Sequence, residues 1–289
     1  MIQIKNTAEV ALMRQAGLVV GRTLARLREE VRPGISTADL DAVAEEMIRS
    51  QGGIPSFKGY RGFPASICTS INDEIVHGIP RPDHVIQDGD VVSIDCGAIV
   101  NGWHGDSAVT VAVGEVPEEL TELLRVCEEA LWRGIAAART GGRLTDIGHA
   151  IETFVRSESD YGIVEEYVGH GIGTEMHQEP QVPNYGRPGR GPRLRDGLVL
   201  AVEPMLNLGD RHTRELDDGW TVVTADGTRS AHFEHTFAIT DHGPWVLTAL
   251  DGGAERLAPL LAPTAQPANP PLTPRPTPGR TPPRTPPRS

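Results

Sequence analysis

Apolar positions follow two different periods along the chain, and the two periods come in blocks. From Asn6 to about Val31 apolar residues recur at helical spacing. Asn6-x-x-Glu9 supplies a capping-box start, and Pro33-Gly34 supplies a stop. A second helix is predicted from Ser36-Thr37-Ala38-Asp39, again box-like, to Gly52-Gly53. A second pair covers about Pro117–Arg139 and Thr145–Ser157, separated by Gly141-Gly142. After each pair the pattern shortens to apolar strands, Val91–Asp95 in one case and Gly197–Glu203 in the other. The Pro- and Gly-rich stretch 182–197 reads as a loop.

The blocks repeat. Thr37 maps onto Thr145 at an offset of 108 residues, and Asp95 maps onto Glu203 at the same offset. A diverged two-fold repeat of helix–helix–strands within one domain fits this spacing; chance similarity is the alternative. Asn101-Gly102 is a two-residue hairpin signal. If it forms the loop, Val100 pairs with Trp103 and Asp106 lies opposite Gly97. Side chains alternate across a strand, so Asp95 and Asp106 project from one face of neighbouring strands. By the same logic a hairpin at Asp226-Gly227 would put Trp220 opposite Phe233, on the face away from Glu234.

Composition narrows the function classes. With 289 residues, 38% apolar and 23% charged, the chain can bury a core without disulfide or metal staples. No apolar run reaches the ~18 residues of a membrane span, and the N-terminus has no secretory apolar region. Cys68, Cys96 and Cys127 are an odd number at wide spacing, which argues against a disulfide framework and for a reducing, cytoplasmic setting. The net charge of −12 argues against DNA as a partner. The last 27 residues carry four Arg and no acid, so the rest of the chain holds −12 less +4, or −16. Those residues also hold 11 of the 24 prolines, which predicts a catalytic body over 1–261 and an extended, disordered Pro/Arg-rich tail over 262–289. The tail is either dispensable or a basic arm for an anionic surface or a proline-binding partner.

Two clustered carboxylates at Asp95 and Asp106 would repel each other unless a cation sat between them. The alternative is a pair of solvated aspartates on an exposed face. Tyr167–His177 contributes His170, with Gly169 and Gly171 allowing close backbone approach on either side, and then His177. Glu203 precedes Pro204 at a strand end, and Glu234 sits among apolar strand residues, where a glutamate usually faces solvent. Taken together, Asp95, Asp106, His170, Glu203 and Glu234 suit a pair of hard or borderline divalent ions better than a thiolate zinc site. Rival templates are absent: no His-Glu-x-x-His run, no P-loop, no Gly-x-Ser-x-Gly elbow, and the glycines at 169, 171 and 173 lack the dinucleotide-binding spacing.

Several separated motifs resemble the type I methionine aminopeptidases of the pita-bread metallopeptidase superfamily. They are Tyr60-Arg61-Gly62-Phe63-Pro64, Asn72–Pro80, Tyr167–His177 and Phe233-Glu234-His235-Thr236, within about residues 3–250. The resemblance implies an α/β (α+β) pita-bread fold, a pseudo-two-fold repeat around a curved antiparallel sheet. It implies that Asp95 binds the first of two divalent ions (Mn, Fe, Co or Zn), that Asp106 and Glu234 bridge both, and that His170 and Glu203 complete the second. Glu203 would also be the general base, His177 would stabilise the oxyanion, and His77 would hold the amide. The methionine pocket would be formed by Tyr60, Phe63, Cys68, Met176 and Trp220; Met176 stands where family members often have Phe. Asn72, Glu74 and Ser230 resemble a monovalent-cation (Na or K) site. The implied activity is removal of the initiator methionine from nascent chains whose second residue is small, by a cytoplasmic monomer making transient ribosome contact with help from the tail arginines. No zinc-finger extension precedes the domain, and only 25 residues separate His177 from Glu203, both as in type I. An Xaa-Pro peptidase of the same superfamily would carry an additional N-terminal domain, and a non-enzymatic relative would have lost ligands.

Overall fold

Local signals at the helix starts are realised as drawn. A computed structural model describes residues 2–261; the tail at 262–289, with the reading made of it, lies outside the described residues. The first half runs α1 (Thr7–Glu30), α2 (Thr37–Ser50), β1 (Ile54–Pro55), β2 (Ile67–Ile71), β3 (Glu74–Val76), β4 (Val91–Val100) and β5 (Trp103–Ala112). Asn6 and Ser36 each cap their helix with both arms of a capping box, closed by Glu9 and Asp39. Such a cap stabilises a helix by about 1 kcal/mol.

The second half begins with α3 (Glu118–Ala137) and α4 (Thr145–Glu158). It continues through β6 (Gly162–Ile163), β7 (Gly169–Gly171), β8 (Gln178–Val182), β9 (Val199–Val202) and β10 (Met205–Asn207). The remaining strands are β11 (Thr213–Glu215), β12 (Val222–Thr224), β13 (Ser230–His232), β14 (His235–Thr240) and β15 (Gly243–Val246), and α5 (Ala254–Leu261) closes the described chain. Helix–helix–strands therefore occurs twice. α2 and α4 both start on the threonines matched by the repeat, and β4 and β9 start at Val91 and Val199, the same offset apart.

Every strand pair is antiparallel. β4 is paired with β5 along one edge and with β2 and β1 along the other, while β15-β14-β9-β7-β8 forms the largest sheet. The β4–β5 hairpin has the register read from Asn101-Gly102, with Val100 opposite Trp103 and Gly97 opposite Asp106. Both turn residues have positive φ, 52° and 81°, as a type I′ turn requires. The Asp226-Gly227 expectation is overturned. β12 pairs with β11 and β3, and β13 pairs with β10, so no β12–β13 hairpin forms. Thr224 N donates to Asp73 O and Ser230 N donates to Asn72 O, which splays the two strands around the 72–73 turn. Trp220 lies ahead of β12, released from the strand alternation that pointed it away from the site.

The main core joins apolar faces of the four long helices to β4, β5, β9 and β14. Among the described residues no helix is long and apolar enough to cross a membrane. Cys68, Cys96 and Cys127 are free and buried.

Candidate metal centre and active site

The two halves meet where their strands exchange backbone hydrogen bonds. Glu234 and Ala108 bond each other's main chain, at 3.0 and 3.3 Å. Thr236 Oγ1 donates to Asp106 O at 2.7 Å and accepts from Asp106 N at 3.1 Å. Glu234 thus falls in the break between β13 and β14, not within a strand, and its side chain turns inward, 2% exposed. Alternation within one strand could not have shown this.

His170 occupies the middle of the three-residue β7. A Cβ on Gly169 would lie 2.3 Å from Ala201 O, and one on Gly171 would lie 2.2 Å from Glu179 O. Glycine on both sides therefore lets the neighbouring backbones close on the histidine. Its Nδ1 donates to Gly171 O at 2.9 Å, which leaves Nε2 bare and aimed at the carboxylates. Nε2 lies 3.9 Å from Asp106 Oδ2 and 3.7 Å from Glu203 Oε1. Asp106, His170 and Glu234 each offer a ligand atom within 4.8 Å of the others. Asp95 stands on the neighbouring strand, two residues from Gly97, the cross-strand partner of Asp106. All five residues line a cavity of about 280 Å³.

The electrostatics of this cluster are unfavourable without a cation. Burial pushes the Asp95, Asp106, Glu203 and Glu234 carboxyls above their usual range, and mutual repulsion adds to it at Asp106, Glu203 and Glu234. Asp95 Oδ1, Asp106 Oδ1 and Glu234 Oε1 are buried with no hydrogen-bond partner. Orphaned acceptors of this kind each cost about 1–3 kcal/mol or more. Oxygen acceptors without donors, beside a bare imidazole nitrogen, fit divalent-ion ligation. Burial lowers the pKa of His170 to about 3, so it is neutral and free to ligate.

The apolar wall draws on both halves of the chain. Phe63, Cys68 and Met176 are buried together with Phe57 and Ala65, and Tyr60, Ile79 and Trp220 pack against them. Trp220 meets Phe63 edge-on at 5.0 Å. All five residues read as pocket positions are thus brought together, and Phe57 is a sixth that the sequence reading missed. Its signal was Gly97, where a Cβ would stand 2.8 Å from the Phe57 ring. Tyr60 Oη bonds His177 Nδ1 at 2.9 Å, and the rings of His177 and His170 lie 4.4 Å apart. His77 sits at a φ of 62°, its ring edge-on to Tyr167 and Trp220. Burial lowers its pKa to about 4. His232, also missed, is fully enclosed, with Nε2 unpartnered and 3.9 Å from Glu203 Oε2.

Asn72, Glu74 and Ser230 cluster at the 72–73 turn. Asn72 donates Nδ2 to Asp90 and accepts from Val91 N, Glu74 Oε2 accepts from Ile71 N at 2.8 Å, and Ser230 Oγ donates to Leu206 O. A larger and more open groove, about 920 Å³, runs between the start of α1, β15 and α5, and it holds none of the carboxylate–imidazole set.

The profile of metallopeptidase family M24 matches residues 11–241 of this chain. The chain belongs to metallopeptidase family M24. Among M24 relatives, the methionine aminopeptidase of Clostridium acetobutylicum is 55% identical over 248 residues, spanning 86% of this chain and 99% of its own length. Methionine aminopeptidase 1 of Bacillus subtilis is 52% identical over the same share of this chain. Of solved structures, the methionine aminopeptidase of Thermotoga maritima superposes with a TM-score of 0.85 at 44% identity, covering 86% of this chain and all of that one. The prolidase of Pyrococcus furiosus, 23% identical with a TM-score of 0.69, shares the fold over 85% of this chain and 65% of its own. The M24 fold expected from the motifs, a pita-bread α+β arrangement, is thus the one observed. As an M24 metallopeptidase the chain is a hydrolase that binds divalent metal.

Proposed function

We propose that this protein is a methionine aminopeptidase that removes the N-terminal methionine from nascent polypeptides whose second residue is small. The observation that carries the reading is the single cavity that joins a methionine-sized apolar wall to a carboxylate–imidazole cluster. Burying a thioether side chain against that wall contributes about 1.5–3 kcal/mol.

Asp95, Asp106, His170, Glu203 and Glu234 would hold two divalent ions, Mn, Fe, Co or Zn. When bound, they supply an acidified water and polarise the scissile carbonyl. Glu203, beside the cluster, would act as general base toward the attacking water and return that proton to the departing amine. His177, neutral because desolvation and Arg61 lower its pKa, donates a hydrogen bond to the developing oxyanion. Tyr60 holds the other nitrogen of that ring. His77 holds the amide on the leaving side. Tyr60, Phe63, Cys68, Met176 and Trp220 receive the methionine side chain. A monovalent ion, Na or K, at Asn72, Glu74 and Ser230 belongs to the same reading, supported by their convergence on one turn. So do a monomeric state, a cytoplasmic setting and transient ribosome contact.

The deciding experiment is the initial rate of methionine release from Met-Ala-Ser by metal-stripped protein titrated with Mn²⁺. Activity is expected to be absent when stripped and to saturate at two equivalents. Folded, ion-bound protein that releases no methionine overturns the reading in favour of an Xaa-Pro peptidase.

Metal binding should also depend on pH with a defined sign. The cluster carboxyls titrate higher in the folded protein than the ordinary value of about 4, Asp95 at about 7. A raised folded-state pKa stabilises the metal-free protein at low pH, and that contribution is lost as pH rises through this window. A cation reverses the loss, because it binds the ionised form. Saturating Mn²⁺ is therefore expected to raise Tm by about 5 °C or more near neutrality and by much less at about pH 5. An equal shift at both values counts against the cluster as ligand.

A further inference from the structure

Arg61 is placed at the mouth of the cavity at a conformational cost. It sits in the short 3₁₀ turn Tyr60–Gly62 with φ 50° and ψ 23°, a left-handed conformation unfavourable for arginine by about 1 kcal/mol. Gly59 and Gly62, with φ of 87° and 90°, take the rest of the sharp turn. Its guanidinium lies over the Tyr60 ring, 5.4 Å from the centroid. Among the described residues it is the only Lys or Arg lining this cavity. Among the described residues no hydrogen bond or ion pair engages its guanidinium, in contrast to Arg14, Arg125 and Arg256. A cation fixed at this rim by an unfavourable backbone, with its guanidinium donors unused, is free to pair with an anionic group of a bound ligand.

The placement says which part of a substrate that anion belongs to. In the aminopeptidase reading the reacting end of the substrate lies at the metal cluster, its methionine side chain on the apolar wall and its scissile carbonyl toward His177. Arg61 adjoins Tyr60, the partner of His177, and both Arg61 and His177 lie on the exposed side. Arg61 and His177 are the exposed residues of the cavity lining and mark where it opens to solvent, so a peptide longer than the bound methionine has to pass them. We propose that Arg61 forms a carboxylate-binding subsite for the leaving part of the peptide, favouring substrates with a carboxylate within two residues after the scissile bond. This rests on the aminopeptidase reading. The carboxylate can belong to an acidic side chain or to the free C-terminus of a short peptide.

The test compares kcat/KM of the Mn²⁺-loaded full chain on two peptide pairs. Met-Ala-Glu amide against Met-Ala-Gln amide isolates a side-chain carboxylate; Met-Ala-Gln as free acid against its amide isolates the C-terminal one. The wild type is expected to favour the carboxylate in at least one pair by about threefold, the size of one exposed ion pair. The preference should shrink in about 1 M salt, where the Debye length is about 3 Å. It should fall to near unity in Arg61→Gln and in Arg61→Asn, the latter being a residue that tolerates the left-handed backbone. Equal rates in both pairs for the wild type, or a preference that survives in both variants, overturns the subsite while leaving the aminopeptidase reading intact. Absence of methionine release from all the peptides overturns both.

Discussion

Glu203→Gln is expected to lower kcat for methionine release by about 10³-fold, within the range for loss of a general base. The position explains the size. Glu203 follows the buried strand β9, and its carboxylate has 14% exposure. It lies 3.7 Å from His170 Nε2 and 3.9 Å from His232 Nε2. Burial, then repulsion from Asp95, pushes its pKa up, which makes it a stronger base than a solvated glutamate once it is ionised. Glutamine keeps the shape and removes both the proton acceptor and one negative charge from the cluster. Loss of that charge relieves repulsion in the metal-free protein, so its Tm should hold or rise while activity falls. Metal content measured on the same variant separates the two roles. Two retained ions with lost turnover assign the base, and one lost ion assigns the ligand. Near-normal turnover at full metal loading removes Glu203 from the mechanism.

Local chemistry made much of this architecture legible. Asn6–Glu9 and Ser36–Asp39 act within one turn of helix, and the Asn101-Gly102 turn acts between adjacent residues. That turn alone set Asp106 opposite Gly97 and so placed two carboxylates on one face. Asp226-Gly227 carries a similar local signal and fails, because backbone bonds from Asn72 and Asp73, far away in sequence, pull β12 and β13 apart. Glu234 shows the same limit: its inward direction comes from a break paired with Ala108. Phe57 and Arg61 were missed for a different reason. Both lie in irregular backbone, where no period assigns a side chain to a face. Arg61 was in view within a family-like motif, but its left-handed backbone and its want of a partner are visible only in three dimensions. His232 was passed over because a lone histidine in an apolar strand carries no signal of its own; only its enclosure beside Glu203 does.

His177→Ala is expected to lower kcat by about 10²- to 10³-fold, the range for losing one oxyanion donor, with KM changed far less. The ring has two neighbours that orient it: Tyr60 Oη bonds Nδ1 at 2.9 Å, and the His170 ring lies 4.4 Å away, tilted by 55°. With Nδ1 accepting from the Tyr60 hydroxyl, Nε2 carries the ring proton on a residue that lines the cavity, and the lowered pKa favours the neutral ring. The side chain is exposed and belongs to no apolar cluster, so its removal should leave the unfolding free energy within about 1 kcal/mol of wild type. Tyr60→Phe supplies the control. It keeps the aromatic wall and deletes the hydrogen bond that orients the ring, so a smaller loss of about tenfold is expected, again in kcat. Combining the two substitutions should cost no more than His177→Ala alone, since Tyr60 Oη acts through the imidazole. Independent, multiplying losses would mean that Tyr60 touches the substrate itself, and an unchanged kcat in His177→Ala would pass the oxyanion to another donor.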